Sequence, residues 1–282
     1  MSEPEQDQDN QPSAAAAAWP TDIPRAFRLL TRLPLPGKPG RPELTGRAVW
    51  AFPLVGVVIG LGSGLVFLLT NQLGIGVDSA TLLAIVTQIV LTGGLHEDGL
   101  ADTADGFGGG TDRERKLAIM RDSRIGTYGV LALILALGLR FTTISELANS
   151  LISTSDDYDQ SISQASAVVI TLIAASALSR AAMAIVWYAL PPARTDGLAA
   201  SSGRVPLPSL AICIAIAALA AFLLLPAPNW MISIGCVAIA ALLMAVLAKW
   251  QIGGHTGDVL GATQQIVEIA ILLAISATTI AI

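Results

Sequence analysis

Apolar residues run in blocks too long for a soluble core, and polar residues interrupt them at only a few places. Residues 49 to 77 carry no charge, and neither do residues 205 to 248, 44 in all. A helix crosses the hydrocarbon of a bilayer in about 20 residues, so the first block predicts a span over roughly Val49–Leu69. The second block is too long for one crossing, and PAPN at 226–229 breaks it into two. Further spans are expected at Ser79–Leu95, Tyr128–Leu147, Ala165–Leu190 and Gln265–Ile282. The pattern is that of an all-α, polytopic membrane protein with about seven spans. Gly56, Gly60, Gly62 and Gly64 would let the first span approach a neighbour closely.

Composition sharpens this picture. The 282 residues are 53% hydrophobic and 13% charged, with a mean hydropathy of +0.66, where a soluble domain carries about 25% charge. The net charge of −5 says little, because the two signs are segregated along the chain. No concentrated basic face exists, which excludes nucleic acid as a partner. Cys213 and Cys236 sit in apolar runs with no CxxC or Cys/His spacing and read as core thiols. Residues 1–22, polar and then alanine-rich, are expected to be a disordered tail without the basic start of a cleaved signal. Residues 23–282 then form one membrane-embedded domain. Its first stretch, IPRAFRLLTRLPL, alternates Arg25, Arg28 and Arg32 with apolar residues and predicts a short basic helix on the membrane surface. The loop at 149–164 holds Asp156, Asp157 and Asp159 and no Lys or Arg. Nearly all Lys and Arg fall in the N-terminal segment and in the 96–127, 191–208 and 249–264 connections, which the positive-inside rule places in the cytoplasm.

The stretch from Gly93 to Gly129, GGLHEDGLADTADGFGGGTDRERKLAIMRDSRIGTYG, is the main polar interruption. Asp98, Asp102 and Asp105 are spaced i, i+4, i+7 and fall within about 60° of arc on a helix. Three carboxylates on one face repel one another, and a divalent cation with oxygen ligands resolves that repulsion. The bland alternative is a solvated acidic helix end. Gly106, Gly108, Gly109 and Gly110 follow, where backbone could approach a ligand. Next come Arg113, Arg115 and Lys116, which with Leu117, Ile119 and Met120 read as an amphipathic helix on anionic headgroups. Arg121, Ser123 and Arg124 are the better phosphate candidates. His96 is either a site residue or a satisfied structural histidine. Arg140 and Arg180 lie inside spans, where a charge is costly and faces a partner or a wet cavity. Arg180 is expected at the site and Arg140 in a structural role, with Glu268 as counter-ion to either. GGHTGDVLG at 253–261 places Asp258 between glycines in a loop read as functional over a plain re-entrant turn. Together these residues point to a Mg²⁺-dependent transferase acting on a phosphodiester or pyrophosphate at the membrane surface.

The run HEDGLADTADG followed by DRERKLAIMRDSRIGTYG resembles the cobalamin synthase family, membrane enzymes also called adenosylcobinamide-GDP ribazoletransferases. LTRLPLP near the start, Arg194-Thr195-Asp196-Gly197-Leu198 and the GHTGDVLGA stretch resemble further elements of that family, so the likeness extends from about Phe27 to the end. The resemblance implies a reaction at a cytoplasmic face of the inner membrane. The adenosylcobinamide phosphate unit would pass from its GDP-activated form to α-ribazole or its 5′-phosphate, giving adenosylcobalamin or its 5′-phosphate and GMP. It implies Mg²⁺ on Asp98, Asp102 and Asp105, with Asp258 or one of the trio taking the acceptor's proton. His96, Arg121, Ser123, Arg124, Arg180, Arg194 and Glu268 would bind substrate. It leaves open association with copies of the chain or with other enzymes of corrinoid assembly. Many relatives hold an apolar residue where this chain has Glu97, which implies that Glu97 is dispensable for chemistry. A CDP-alcohol-type phospholipid synthase is the alternative enzyme, but it would carry Ala-Arg where this chain has Phe107-Gly108. A divalent-cation transporter would bury its acids within broken spans, whereas these aspartates are expected in a loop of over thirty residues.

Overall fold

The structure, a computed structural model, describes residues 19–35, 45–152, 158–197 and 201–280. Ten α-helices and one 3₁₀ turn make up the described residues, which contain no strand. They are α1 (Trp19–Leu30), the 3₁₀ turn (Gly46–Ala51), α2 (Phe52–Gln72), α3 (Val77–Thr92), α4 (Leu95–Gly109) and α5 (Arg113–Ile119), then α6 (Thr127–Ile152), α7 (Tyr158–Ala189), α8 (Leu207–Leu224), α9 (Asn229–Ile252) and α10 (Gly257–Ile280). Six stretches are long and apolar enough to cross a membrane: Gly46–Gln72, Thr127–Ser150, Ala165–Ala189, Leu207–Leu224, Asn229–Ile252 and Gly257–Thr279. Their outward faces carry exposed Leu65, Leu69, Ile134, Leu135, Phe222, Leu223, Leu242 and Leu243, a surface that only lipid would cover favourably.

Helix α7 is the axis of the bundle, with α2, α6, α8, α9 and α10 packed around it. Glycines make its closest contact possible. A Cβ at Gly56 would lie 2.7 Å from the Ala177 Cα, and one at Gly60 2.8 Å from the Ile173 backbone nitrogen. This is the small-residue approach by which helices associate in lipid.

Helix α3 has 16 residues, about 24 Å at 1.5 Å per residue, too short to cross alone. Gly93 and Gly94 both adopt left-handed backbone (φ 68° and 70°), and α4 leaves them bent by 87° from α3, so the pair counts as a seventh crossing if taken as one span. The first turn of α4 is packed among the spans, and its later turns emerge beside the 120–125 connection. The aspartates are therefore on a helix docked against α6 and α10, which corrects the expectation of a loop of over thirty residues.

Other boundaries shift as well. The glycine-rich loop at 249–264 shrinks to 253–256, because α9 runs on to Ile252 and α10 begins at Gly257 rather than Gln265. Helix α1 begins at Trp19, inside the expected tail, and it is not a loose surface helix. Its buried Asp22 accepts from Arg47 Nη2 and Trp50 Nε1, each at 3.1 Å, while Ala26 and Leu30 are in the core. The tail at 1–18 lies outside the described residues. The acidic loop at 149–164 lies partly outside them too, and α6 and α7 extend into it from either side.

Candidate active site

The three aspartates of α4 divide into two groups. Asp105 is buried, and both its oxygens are engaged: Oδ2 accepts from the Gly126 N–H at 2.7 Å and Oδ1 from the Gly129 N–H at 2.8 Å. These donors belong to the start of α6, where helix N–H groups lack intrahelical partners and a negative charge is favoured. A Cβ at either glycine would sit closer than 3.0 Å to the carboxylate, which is why glycine stands at both positions. Asp98 is exposed and Asp102 half-buried. Both line a cleft of about 270 Å³ together with Arg121, Asp122 and Ser123. Gly106, Gly108 and Gly110 meet Met120, the Tyr128 ring and Lys116, so these glycines let α5 and Tyr128 close on α4 and form no ligand cradle.

Across from Asp98 stands the start of α10. Segments 191–194 and 253–256 are tied together by the His255 N–H to Pro191 carbonyl bond at 2.9 Å and the Ala193 N–H to His255 carbonyl bond at 2.8 Å. This tie sets Arg194 beside the first turn of α10, where its Nη2 donates to Asp258 Oδ2 at 3.3 Å. Burial pushes the His255 imidazole down to about 4, so it is neutral at physiological pH. Helix α5 is tethered to the same region. Arg113 Nε donates to the Ile252 carbonyl at 2.9 Å and its Nη2 to the Ala193 carbonyl, while Lys116 reaches Gln251. Arg113 and Lys116 thus hold protein rather than headgroups, which corrects the membrane-surface expectation for both. Arg113 also caps the carbonyl end of α9, where a cation is favoured.

A second cavity, of about 240 Å³, lies beneath Arg194 and Asp258 and is walled by Leu30, Phe52, Met183, Trp187 and His255. Asp98 lines both this cavity and the acidic cleft. Asp102, on the emergent part of α4, has its carboxyl pushed up to about 7, first by burial and then by the carboxylates of Asp98, Asp258 and Asp105. Like charges have been gathered with little to balance them. Arg121 pairs with Asp196 at the edge of the cleft. Arg124 lines neither cavity: it points outward, and its contact with Asp122 at 2.6 Å draws that carboxyl down to about 2.

Whether this region suits a divalent cation can be judged from the donors. Among the described residues no three His, Cys, Asp or Glu side chains are arranged to hold one metal ion. Mg²⁺ commonly takes one or two carboxylates, several waters and substrate phosphates, and Asp98 with Asp102, one turn apart on a cleft, fits that smaller requirement. Asp105, with both oxygens engaged by backbone, stands apart from the pair.

Arg180 and Glu268 are not brought to either cavity. Both are buried, and they belong to a polar network among α3, α4, α6, α7 and α10. Arg140 Nη1 lies 3.1 Å from Glu97 and its Nη2 lies 3.6 Å from Glu268, while Arg180 Nη1 lies 3.6 Å from the other Glu268 oxygen. Gln265 Nε2 donates to Glu97 at 3.0 Å, and Gln264 Nε2 donates to the Ser179 hydroxyl at 3.1 Å. Arg140 also reaches Gln88. Two arginines and two glutamates cancel, so the expected division, Arg180 at the site and Arg140 in the scaffold, gives way to one shared network. Glu97, expected to be dispensable for chemistry, has a structural role as the partner of buried Arg140. His96 lines the 240 Å³ cavity, 1% exposed, and neither ring nitrogen has a hydrogen-bond partner.

Trp187, Phe52 and His255 were not picked out from the sequence. His255 sits in the glycine-flanked stretch that pointed to Asp258, but Phe52 and Trp187 carry no signal beyond being aromatic near a span end.

Comparisons with known proteins find relatives along most of the chain. The profile of the cobalamin-5-phosphate synthase family matches residues 22–276. The adenosylcobinamide-GDP ribazoletransferase of Bradyrhizobium diazoefficiens is 44% identical over 257 residues, covering 91% of this chain and 93% of the relative. Enzymes of the same name from Sinorhizobium medicae and Rhizobium johnstonii are 41% and 42% identical, covering 90% and 92% of this chain and 95% and 97% of theirs. No solved structure matches the chain significantly. A polytopic helical chain matched along nine-tenths of its length by such enzymes belongs to the cobalamin-5-phosphate synthase family.

Proposed function

We propose that the protein joins adenosylcobinamide-GDP to α-ribazole, or to α-ribazole 5′-phosphate, releasing GMP and forming adenosylcobalamin or its 5′-phosphate. The observation that carries this reading is the position of Asp98 on the wall shared by two cavities, one acidic and polar, the other largely apolar. A two-substrate transfer needs donor and acceptor to meet at one atom, and that wall is such a place.

In the reaction a hydroxyl oxygen of α-ribazole bonds to the phosphorus that carries the cobinamide. The bond from that phosphorus to the GMP oxygen breaks, and GMP leaves with the electron pair. The hydroxyl proton passes to a carboxylate, Asp258 or one of the α4 pair, each within the shared region. Asp98 and Asp102 would hold Mg²⁺, which when bound offsets the negative charge of the pyrophosphate. Arg121 and Ser123 approach the donor phosphates from the 120–125 connection, and Arg194 orients Asp258 and offers its second, unpartnered amino group to the substrate. His96 faces the apolar cavity. Arg140, Arg180, Glu97 and Glu268 hold the helices that carry these groups. The cluster of basic connections around the site supports a position on the cytoplasmic side of the cell's inner membrane.

The test is GMP release from adenosylcobinamide-GDP by the purified full chain in lipid nanodiscs. Release should require both α-ribazole and Mg²⁺ and should match the corrinoid product one to one. No release with both present would overturn the proposal.

A further inference from the structure

The 240 Å³ cavity has a shape and lining that select one part of one substrate. It is smaller than the roughly 300–1,000 Å³ typical of sites that enclose a whole ligand of drug size, and far too small for a corrin ring. Its walls are Leu29 and Leu30 of α1, Phe52 of α2, and Met183 and Trp187 of α7. The Trp187 ring stands 6.5 Å from Phe52 and 6.0 Å from His255, centre to centre, tilted by 44° and 49°. Two features mark it as a ligand site rather than a packing fault. His96 is buried with both ring nitrogens unpartnered, as is Nδ1 of His255, and a buried polar group without a partner costs about 1–3 kcal/mol unless something completes it. The cavity also opens at the residues that would do the chemistry, Asp98, Arg194 and Asp258.

Resting on the reading above, we propose that this cavity is the socket for the base of the acceptor nucleoside. The base of α-ribazole is a benzimidazole. It is a flat fused ring with apolar faces, and once one ring nitrogen carries the ribose the other remains as its sole acceptor. Leucine, methionine and aromatic walls cover the ring faces, and a turn of the buried His96 or His255 ring brings an unpartnered imidazole nitrogen to the free nitrogen of the base. The ribose then projects toward Asp98 and Asp258. Guanine, the base on the departing nucleotide, is also fused and flat. It carries a carbonyl, an amino group and a ring N–H along its edge, and largely apolar walls would leave those unpaired. The guanine is accordingly placed outside this socket.

Binding of α-ribazole alone to the full chain in nanodiscs, followed calorimetrically, tests the socket without turnover. Trp187→Ala should weaken that binding tenfold or more and raise the KM for α-ribazole by a similar factor, with the KM for adenosylcobinamide-GDP unchanged. Leu29→Trp, at a half-buried lip position, should fill the socket with little demand on folding and have the same effect. Wild-type binding in both variants would overturn the proposal, as would displacement of α-ribazole by GMP. GMP release by a wild-type protein that fails to bind α-ribazole alone would sink the socket and leave the function standing. Loss of both in the wild type would sink the two together.

Discussion

Two of the groups of charges that interrupt this apolar chain are built on opposite principles. Inside the bundle, Arg140 and Arg180 face Glu97 and Glu268, and glutamine and serine side chains fill in around them. Charges cancel there, because in a low-dielectric interior each must find its opposite. At the mouth of the bundle, Asp98, Asp102, Asp105 and Asp258 gather, with Arg194, among the described residues, as the one cation paired into the group. A folded chain gains nothing from that repulsion by itself. The balanced set reads as scaffold and the unbalanced set as a site that a cation or a phosphate-bearing ligand completes.

The largest effect expected from this contrast follows from neutralising one member of the unbalanced set. Asp102→Asn should lower GMP release by about a hundred- to a thousandfold, the range for loss of one electrostatic group in an active site. Yield and thermal stability of the purified protein should not fall, since like-charge repulsion is relieved. A folded variant with full activity would mean that the acidic cleft is not where the reaction occurs.

The same experiment in the balanced set should give the reverse. Arg140→Met leaves Glu97 buried without its cation and should cost about 3–5 kcal/mol, read as a collapse in folded yield. Adding Glu97→Gln to Arg140→Met should recover most of the yield, because the stranded charge is gone. Arg180→Met should likewise act on yield. A normally folded Arg180→Met protein with poor turnover would return Arg180 to the site and break the contrast.

Within the unbalanced set, one contact fixes the spacing of its two helices. A methyl group at Gly99 would lie 2.8 Å from the Asp258 carbonyl oxygen and 3.2 Å from the Gly261 Cα, so α4 and α10 could not stay so close. Gly99→Ala should push Asp258 away from Asp98 and lower turnover about tenfold to a hundredfold, as sub-ångström to ångström misplacement does. An unchanged rate would show that the Asp98–Asp258 distance does not matter.

These contrasts also show what a linear reading of the chain can reach. Span count and helical class were legible because lipid imposes a length and an apolarity on each crossing. The i, i+4, i+7 aspartates were legible as one helix face. What they contact was not: Asp105 ends up capping α6, a tertiary contact to Gly126 and Gly129 that no local spacing encodes. A charge within a span suggests a wet cavity, which points Arg180 and Glu268 to the site, yet their partners come from other helices. Gln88 on α3, and Gln264 and Gln265 beside Glu268 on α10, are the available hint of a network that already awaits them. The extension of α10 back to Gly257 was hidden by glycines, which lower helix propensity without forbidding it. The aromatic lining is least legible of all, since Phe52 and Trp187 are brought together only by the close crossing of α2 and α7.

The smallest effect expected from the contrast is one of pH, and its sign follows from the imbalance. With its carboxyl pushed up to about 7, Asp102 keeps a proton in the folded protein that the unfolded chain would release from the ordinary value of 3.8. A raised pKa contributes stability that is present at low pH and is lost as pH rises through about 7. In the absence of divalent cation, the protein should therefore melt at a lower temperature at pH 8 than at pH 5.5, and Asp102→Asn should flatten that slope. Mg²⁺ competes with the same proton. The concentration needed for half-maximal activity should rise about tenfold for each unit of pH below 7, and Mg²⁺ should raise the melting temperature more at pH 8 than at pH 6. A melting temperature that is level across this range, and equally unmoved by Mg²⁺, would mean that the mouth of the bundle is as well balanced as its interior.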